Sequence, residues 1–442
     1  MDTPIYDFLK NYRNSDTLRC HMPGHKGISP ADGLDEMFSL DITEITGADS
    51  LFEADGIIAQ SEKNMSRLYG TEETVYSAGG STLCIQAMLA LMKEEKRTVF
   101  AVRNVHRAFL NAAALLGIGI EWIMPEYTDG ILSGKVSAEA VDDMLGKCAS
   151  PSCVYVTSPD YTGRLADIPA LAAVCRKHSA RLLVDNAHGA HLHFFEESLH
   201  PIHLGADMCC DSAHKMLPAL TGAAMLHTSS PEYRGRLKQA MSMFASTSPS
   251  YLIMLSLDLC TKYIAEDIRR DTAENIFRLD RLREHFSGRI VFADSEPFHI
   301  TARADRSGFS GKSFAAALRR YGAEYEYADD STVILLMSPP CRSSHFSRLV
   351  WTMDKALGDM ELHAPVIDSI SLELPERAMS VREAFFSPSE EIPVSQAEGR
   401  ICASVKVPCP PAVPIAASGE IINRQCINIF KRYGISSVLV VK

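Results

Sequence analysis

The sequence lacks the features that mark membrane proteins, nucleic-acid-binding proteins and disulfide-rich proteins. No run approaches the roughly 18 apolar residues of a membrane span, and residues 1–16 lack the basic and apolar stretches of a secretory signal. The net charge of −11 is not gathered in blocks, and the 12 cysteines form no C-x-x-C pair. We therefore expect a cytoplasmic protein with reduced thiols that binds neither membrane nor nucleic acid.

Helical patterns alternate with short apolar segments between residues 59 and 227, beginning with a helix that ends before Gly70. Strands separated by crossovers of helix length predict an α/β fold with a mostly parallel sheet that helices cover on both faces. Cys209 and Cys210 lie in one of these apolar segments and are interpreted as core residues. The predicted strands are Thr74–Ala78, Thr98–Val102, Cys153–Ser158, Arg181–Val184, Asp207–Asp211 and Ala223–His227.

The rest of the chain has a different organisation. Two helical stretches are predicted at 231–243 and 250–287, and a second α/β pattern begins with a predicted strand at Ile290–Ala293. Residues 406–420 are rich in proline and small residues, which favours loops or short β segments. These changes predict three domains: a large domain at 1–288, a small α/β domain at 289–364 and a C-terminal α+β domain at 365–442.

Asp185 ends an apolar strand, and Lys215 follows another. The carboxyl ends of strands are where open α/β sheets bind their ligands. A lone lysine is usually a solvated surface residue, but a lysine at a strand exit can also hold a carbonyl cofactor. A buried carboxylate at a strand end needs a partner, and a protonated pyridine nitrogen would serve. An N-cap or a salt bridge is the alternative for Asp185.

Other segments also allow two interpretations. Ser81 and Thr82 begin a helix after a strand, so they would either bind a phosphate or simply cap the turn. His106 would stack on an aromatic ring or have a structural role. His188, His191 and His193 have a spacing that could suggest a metal site, but no further ligands complete one, and we expect no metal.

Taken together, these segments resemble the Orn/Lys/Arg decarboxylases, which are fold type I enzymes that use pyridoxal 5'-phosphate. The resemblance extends over nearly the whole sequence and includes a C-terminal stretch at 398–422. The length of the sequence resembles that of the short members of the family, which lack an additional N-terminal domain. The motifs that carry it are HMPGHKG (21–27), DITEITGADSLFEADG (41–56), SAGGSTLCIQAML (77–89), RNVHRAF (103–109), VDNAHGAH (184–191), DSAHKMLPALTGAAML (211–226) and STSPSY (246–251).

This resemblance implies a role for each matching residue. Lys215 would carry pyridoxal phosphate as a Schiff base, with His214 beside it, and Asp185 would pair with the pyridine nitrogen. His106 and Ala187 would pack against the two ring faces. The other implied contacts are His188 near the cofactor, Ser81, Thr82 and Ser212 at the phosphate, Thr247 at the phosphate of a neighbouring subunit, and Glu420 at the distal cation of the substrate.

The resemblance also implies a homo-oligomer, at least a dimer, with active sites at subunit interfaces. The implied activity is decarboxylation of a basic amino acid, with arginine ahead of lysine and ornithine, giving an amine for polyamine synthesis. Asn186 stands where short members often carry glutamate, Gly80 replaces a common threonine, and the segment from Asp294 matches loosely. Another pyridoxal phosphate reaction, such as transamination with Arg342 or Arg400 holding the α-carboxylate, or a non-catalytic paralogue, remains an alternative.

Overall fold

The computed structural model describes residues 1–127, 130–366, 372–404 and 413–442. Residues 406–412 of the stretch predicted to form loops or short β segments lie outside these ranges. The chain divides into two compact units: the first holds Met1–Leu91 and Leu183–Arg270, and the second holds Met92–Leu182 and Asp271–Lys442. Across the described residues, no helix is both long enough and apolar enough to cross a membrane.

The strands are short, and six of those in the described residues match the segments predicted between residues 59 and 227. In chain order they are β1 (Glu73–Ser77), β2 (Thr98–Val102), β3 (Ile120–Ile123), β4 (Glu126–Tyr127), β5 (Gly134–Lys135), β6 (Ser152–Thr157), β7 (Arg181–Asp185), β8 (Met208–Asp211), β9 (Ala224–Thr228), β10 (His299–Arg303), β11 (Tyr327–Ala328), β12 (Thr332–Leu336), β13 (Ser389–Pro393), β14 (Cys402–Ser404) and β15 (Ser437–Val441).

Helices separate most of these strands, as an α/β fold requires. They are α1 (Pro4–Arg13), α2 (Asp35–Leu40), α3 (Ile57–Tyr69), α4 (Gly80–Glu94), α5 (Arg107–Leu116), α6 (Ala138–Gly146), α7 (Ile168–Lys177), α8 (Pro201–Leu204), α9 (Ala213–Met216), α10 (Arg236–Ser242), α11 (Tyr251–Glu266), α12 (Ile268–His285), α13 (Ala304–Ser307), α14 (Gly311–Arg320), α15 (Ser343–Gly358), α16 (Val381–Phe386) and α17 (Arg424–Arg432).

The first unit holds β1, β9, β8 and β7, adjacent in that order, and the second unit holds β6, β2 and β3, adjacent in that order. The pairs β7–β8, β2–β6 and β2–β3 are parallel, whereas β9 is antiparallel to both β1 and β8. Every residue of β8 and β9 is buried, as expected for strands covered on both faces. The prediction of a mostly parallel α/β sheet is therefore confirmed.

The apolar core of the first unit joins α1, α3 and α11. Ile5, Ile58, Met65 and Met254 are fully buried in it. Asp258 on α11 is also fully buried, and its carboxylate accepts the hydroxyl of Ser61 at 2.6 Å and the Tyr6 N–H at 2.9 Å. A buried carboxylate is tolerated here because its oxygens have hydrogen-bond donors.

Besides the two-stranded pair β4–β5, two three-stranded sheets lie among the described residues of the second unit. One has the order β10-β12-β11 and the other β13-β15-β14, and all their pairs are antiparallel. Helix α17 packs its apolar face, with Ile427 and Phe430, in a core that includes Val438 and Val440 of β15. These sheets fall within the ranges predicted for a small domain and a C-terminal domain, and the boundaries of those domains stay a prediction.

Three predicted elements differ from the structure. The predicted strand at 290–293 is not a strand: Phe292 forms one isolated bridge to Ala302, and the strand of this region is β10. The helical stretch 231–243 is interrupted at Gly235, whose φ of +76° is a left-handed conformation that glycine adopts without strain. The stretch 250–287 divides at Asp267, where α11 ends and α12 begins.

Candidate active site

The carboxyl ends of three strands meet at one edge of the sheet in the first unit. Asp185 ends β7 and pairs in parallel register with Cys210 of β8. Across β9, Ser77 at the end of β1 pairs with Ala224, and Asp211 at the end of β8 pairs with Met225. Segments that leave these strands are therefore neighbours, and this is the edge at which open α/β sheets bind ligands.

Lys215 leaves this edge in α9, directly after β8. Its Nζ lies 2.9 Å from Nε2 of His188, which follows β7. The Lys215 side chain is exposed in the single chain. The neighbouring His214 is anchored, because its Nδ1 donates to the Ala223 carbonyl at 2.9 Å. An amine within hydrogen-bond distance of an imidazole can exchange a proton with it, as a nucleophilic lysine must.

Asp185 is 2% exposed. Its Oδ1 accepts the N–H of Ala187 at 3.2 Å and lies 3.6 Å from the Cys210 sulfur. Ala187 is itself buried next to this carboxylate. Cys210, interpreted from the sequence as a core residue, is buried and also contacts the proposed cofactor carboxylate. A buried carboxylate in this position is suited to a cationic ring nitrogen.

The hydroxyls of Ser81 and Ser212 come together although they are far apart in sequence. The Ser212 hydroxyl donates to the Ser81 hydroxyl at 2.9 Å. Ser81 lies in the first turn of the 15-residue helix α4. The preceding turn is held by Ser77, whose hydroxyl accepts the Gly79 N–H at 3.1 Å and donates to the Gly80 carbonyl at 2.9 Å. Two hydroxyls at a helix N-terminus form a suitable site for a phosphate.

A cavity of about 360 Å³ opens beside this turn in the first unit. Thr82 lines it from α4, and Ser246 and Ser248 line it from the loop between α10 and α11. Thr247 is exposed between those two serines. The structure therefore places the STSPSY loop next to the predicted phosphate site of the same chain, and the predicted contact of Thr247 with a neighbouring subunit stays a prediction.

His106 and Glu420 lie in the second unit. His106 is the N-cap of α5, and its Nδ1 accepts the Ala108 N–H at 3.2 Å. Glu420 is 2% exposed, and its two carboxylate oxygens accept the two terminal nitrogens of Arg103 at 2.6 Å each. The Ala417 N–H also donates to this carboxylate, at 2.7 Å. Both oxygens of Glu420 therefore have partners within the chain, which argues against a role in binding the substrate cation. That role stays a prediction, and so does ring stacking by His106.

The arginines considered for a substrate carboxylate have other surroundings. Arg342 is an exposed residue that precedes α15, and Arg400 binds Glu390 at 2.8 Å. Arg164 instead lines a cavity of about 240 Å³ in the second unit, where its Nε donates to the Ser133 hydroxyl at 2.9 Å.

Sequence reasoning missed a buried carboxylate at this sheet edge, Asp211. Its Oδ1 accepts the side-chain N–H of Asn186 at 2.7 Å, and its Oδ2 lies 3.0 Å from Nε2 of His200 and 3.2 Å from Nε2 of His227. Burial would raise the pKa of Asp211, but the two histidines lower it well below its ordinary value. The departure at Asn186 is thereby explained as one half of an amide–carboxylate pair.

The donor atoms of His200, Cys209 and Asp211 lie within 4.8 Å of one another, a spacing that could hold a metal ion. The N–H donors at Asp211 account for its carboxylate without one. The histidines predicted as a weak metal signal have separate contacts: His188 approaches Lys215, and the ring of His193 stacks on that of His203 with 4.4 Å between centroids.

These residues fit pyridoxal 5'-phosphate. A buried carboxylate can face the ring nitrogen, two hydroxyls and a helix N-terminus can receive the phosphate, and an amine beside an imidazole can bind the aldehyde. All three groups come from the edge at which β1, β7 and β8 end. The donor set contains both the anionic group that the ring nitrogen requires and the neutral donors that a phosphate requires.

Comparison with known proteins gives the same picture. Among solved structures, lysine decarboxylase LdcF of Francisella novicida has a TM-score of 0.82 at 15% identity, covering 100% of this chain and 81% of that chain. Serine palmitoyltransferase of Sphingomonas wittichii has a TM-score of 0.56 at 16% identity, covering 74% of this chain and 82% of that chain. At these identities the likeness concerns the fold.

Sequence relatives extend over nearly the whole chain. Arginine decarboxylase of Halalkalibacterium halodurans is 28% identical over 450 residues, covering 95% of this chain and 91% of that protein. Arginine decarboxylase of Bacillus subtilis is 26% identical over 460 residues, covering 97% and 93%. The family model described as "Orn/Lys/Arg decarboxylase, major domain" matches residues 3–304, and that of the C-terminal domain matches 366–433. The chain therefore belongs to the Orn/Lys/Arg decarboxylase family of pyridoxal 5'-phosphate-dependent enzymes.

Proposed function

We propose that this decarboxylase acts on arginine and releases carbon dioxide and agmatine, a precursor for polyamine synthesis. The observation that carries the choice of substrate is the length of the sequence matches: two relatives named arginine decarboxylase align over at least 95% of this chain. The lysine decarboxylase with the similar structure is only 15% identical and supports the fold rather than the substrate.

Asp185, Ser81 and Ser212 hold the cofactor in this proposal. The carboxylate of Asp185 binds the ring nitrogen and keeps it protonated, while the two hydroxyls and the N-terminus of α4 bind the phosphate. When bound, pyridoxal phosphate supplies an electron sink for the electron pair that the leaving carboxylate gives up. Asp185 strengthens that sink because its negative charge stabilises the protonated ring nitrogen in a buried site.

Lys215 and His188 carry out the proton transfers in this proposal. An ammonium group cannot attack an aldehyde, so Nζ of Lys215 must first lose a proton. Nε2 of His188, at 2.9 Å, is within reach to accept it. After carbon dioxide leaves, the same pair can return a proton to Cα of the product. His214 is fixed by its bond to the Ala223 carbonyl, so it can maintain the position of α9 during these transfers.

We also propose that the active site is completed by a second copy of the chain. Two features support this. Lys215 and Thr247 are exposed in the single chain, and so are the apolar side chains of Leu220 (50%) and Met243 (64%), which lie near them in sequence. Exposed apolar side chains near a catalytic lysine are typical of a surface that a partner subunit covers.

The substrate is tested by incubating the cofactor-loaded protein with equimolar arginine, lysine and ornithine and identifying the amines by mass spectrometry. Agmatine is expected, and Lys215→Ala should abolish it. Cadaverine or putrescine as the main product would contradict the choice of arginine. If no amine forms although the protein has a visible absorption band that Lys215→Ala removes, decarboxylation of basic amino acids would be contradicted. The proposal that Lys215 binds the cofactor would then still hold.

The shared site is tested by mixing two inactive or weakened variants. Lys215→Ala lacks the lysine, and Thr247→Ala lacks the contact proposed for the neighbouring phosphate. In a mixed dimer, one site combines an intact Lys215 with an intact Thr247, so activity should exceed that of either variant alone. A monomer by light scattering, or no gain on mixing under exchange conditions, would contradict this arrangement.

A further inference from the structure

We propose that Asp211 is a positioning residue for the cofactor site and acts through Asn186. Asp211 is fully buried, ends β8 and immediately precedes Ser212. Asn186 is fully buried too and directly follows Asp185. The bond between their side chains, 2.7 Å long, therefore joins the two chain segments that carry the proposed cofactor residues.

Asn186 is tightly held in the turn that follows β7. Its N–H donates to the Cys210 carbonyl at 3.0 Å, and its carbonyl accepts the Gly189 N–H at 2.7 Å. A Cβ at Gly189 would lie only 1.9 Å from the Asn186 side-chain oxygen, so the amide fits against a residue without a side chain. The turn from Asp185 to Gly189 therefore depends on the position of this amide. That turn carries His188, the partner of Lys215.

The carboxylate of Asp211 fixes the amide because it is itself fixed from two other sides. His200 precedes α8 and His227 lies on β9, and the Nε2 atoms of both lie within 3.2 Å of Oδ2. The remaining oxygen, Oδ1, is left for Asn186. A hydrogen bond to an ionised, buried acceptor is stronger than one to a neutral acceptor. Loss of the charge should let the turn move, and Asp185 and His188 with it.

The proposal rests on the cofactor roles of Asp185 and Lys215, so its test measures cofactor binding to the apoprotein as well as activity. Asp211→Asn keeps the shape but removes the charge. We expect its dissociation constant for pyridoxal phosphate, measured by quenching of intrinsic fluorescence, to rise about 10- to 100-fold. We also expect a changed visible spectrum of the bound cofactor.

A charge swap separates positioning from a general structural effect. Asn186→Asp combined with Asp211→Asn again pairs one carboxylate with one amide, so it should recover part of the affinity lost in Asp211→Asn, although the carboxylate then no longer faces His200 and His227. Asp258→Asn is the matched control, because Asp258 is an equally buried carboxylate of the same unit that binds Ser61 and Tyr6 instead. It should leave the dissociation constant within about threefold of the unaltered protein.

Three outcomes would overturn the proposal. The first is an Asp211→Asn apoprotein that unfolds at a lower temperature but binds the cofactor with unchanged affinity. The second is an equal loss of affinity in Asp258→Asn. The third is stoichiometric zinc in the purified protein that disappears in Asp211→Asn, because the carboxylate would then be a metal ligand. Failure of Lys215→Ala to remove the visible band would instead contradict the proposed catalytic site itself.

Discussion

Glu420 provides a test that separates a structural role from a substrate-binding one. Its carboxylate binds both terminal nitrogens of Arg103 at 2.6 Å. Arg103 is fully buried, donates its Nε–H to the Pro414 carbonyl at 3.0 Å and lies over the ring of Trp122 at 4.6 Å. Glu420→Ala would leave the Arg103 charge in place without its counter-ion. The expected consequence is a large loss of stability with little change in substrate binding.

The magnitude follows from the burial of both partners. Neither side chain is more than 3% exposed, so water screens the pair very little. Removing one partner of a buried ion pair lowers the free energy of unfolding by about 3–5 kcal/mol. For a cooperative unit of a few hundred residues, each kcal/mol changes Tm by about 2 °C. Glu420→Ala should therefore lower Tm by about 6–10 °C. Glu420→Gln, which keeps one acceptor oxygen, should lower it less.

The assay combines thermal unfolding with steady-state kinetics on arginine well below Tm. We expect KM to stay within about twofold in both variants. Glu390→Ala is the control, because Glu390 pairs with Arg400 at the surface, and exposed pairs contribute only about 0–1 kcal/mol. A KM raised about tenfold in Glu420→Gln, with Tm unchanged, would refute the structural account and support recognition of the substrate cation by this carboxylate.

Three further predictions concern the first unit. Burial raises the pKa of Glu62 from 4.5 to about 7. Since the folded state binds this proton more tightly than the unfolded state, the free energy of unfolding should fall by up to about 3 kcal/mol as pH rises from about 4.5 to 7. Glu62→Gln should reduce this pH dependence, measured by urea unfolding. Asp185→Asn should still bind the cofactor but lose about 100-fold or more in kcat, measured by release of carbon dioxide. Ser81→Ala and Ser212→Ala should each weaken cofactor binding, and the double variant should show coupling because the two hydroxyls share one hydrogen bond.

The sequence predicts where the candidate site lies because parallel strands place their carboxyl ends at one edge of a sheet. Lys215 and His188 are 27 residues apart in sequence, yet each follows a strand that ends at this edge. The same geometry brings Ser212 to Ser81. Such contacts depend on strand direction, which the alternation of helices and strands predicts, and on strand order, which the structure provides.

Some details of local geometry could not be predicted from the sequence. Residues 291–293 have the composition of a strand, and they do share backbone hydrogen bonds with β10: Arg303 N–H to Val291 O at 2.7 Å and Ala293 N–H to Thr301 O at 2.8 Å. These two bonds are too few to form a ladder. The break at Asp267 was not predicted either, because the helical periodicity of the sequence continues into α12.

Asp211 shows why a motif can be identified while one of its members is misjudged. In the sequence it ends an apolar strand and precedes Ser212 and Lys215, the residues predicted to bind the cofactor. Its partners Asn186, His200 and His227 are separated from it by 25, 11 and 16 residues, and none shares its segment. The register of β7, β8 and β9 brings Asn186 and His227 to Asp211, and His200 reaches it from the residue before α8. Burial of a carboxylate is costly unless hydrogen-bond partners compensate it, and these three partners do so for Asp211. We infer that the network positions the proposed cofactor residues on either side of it.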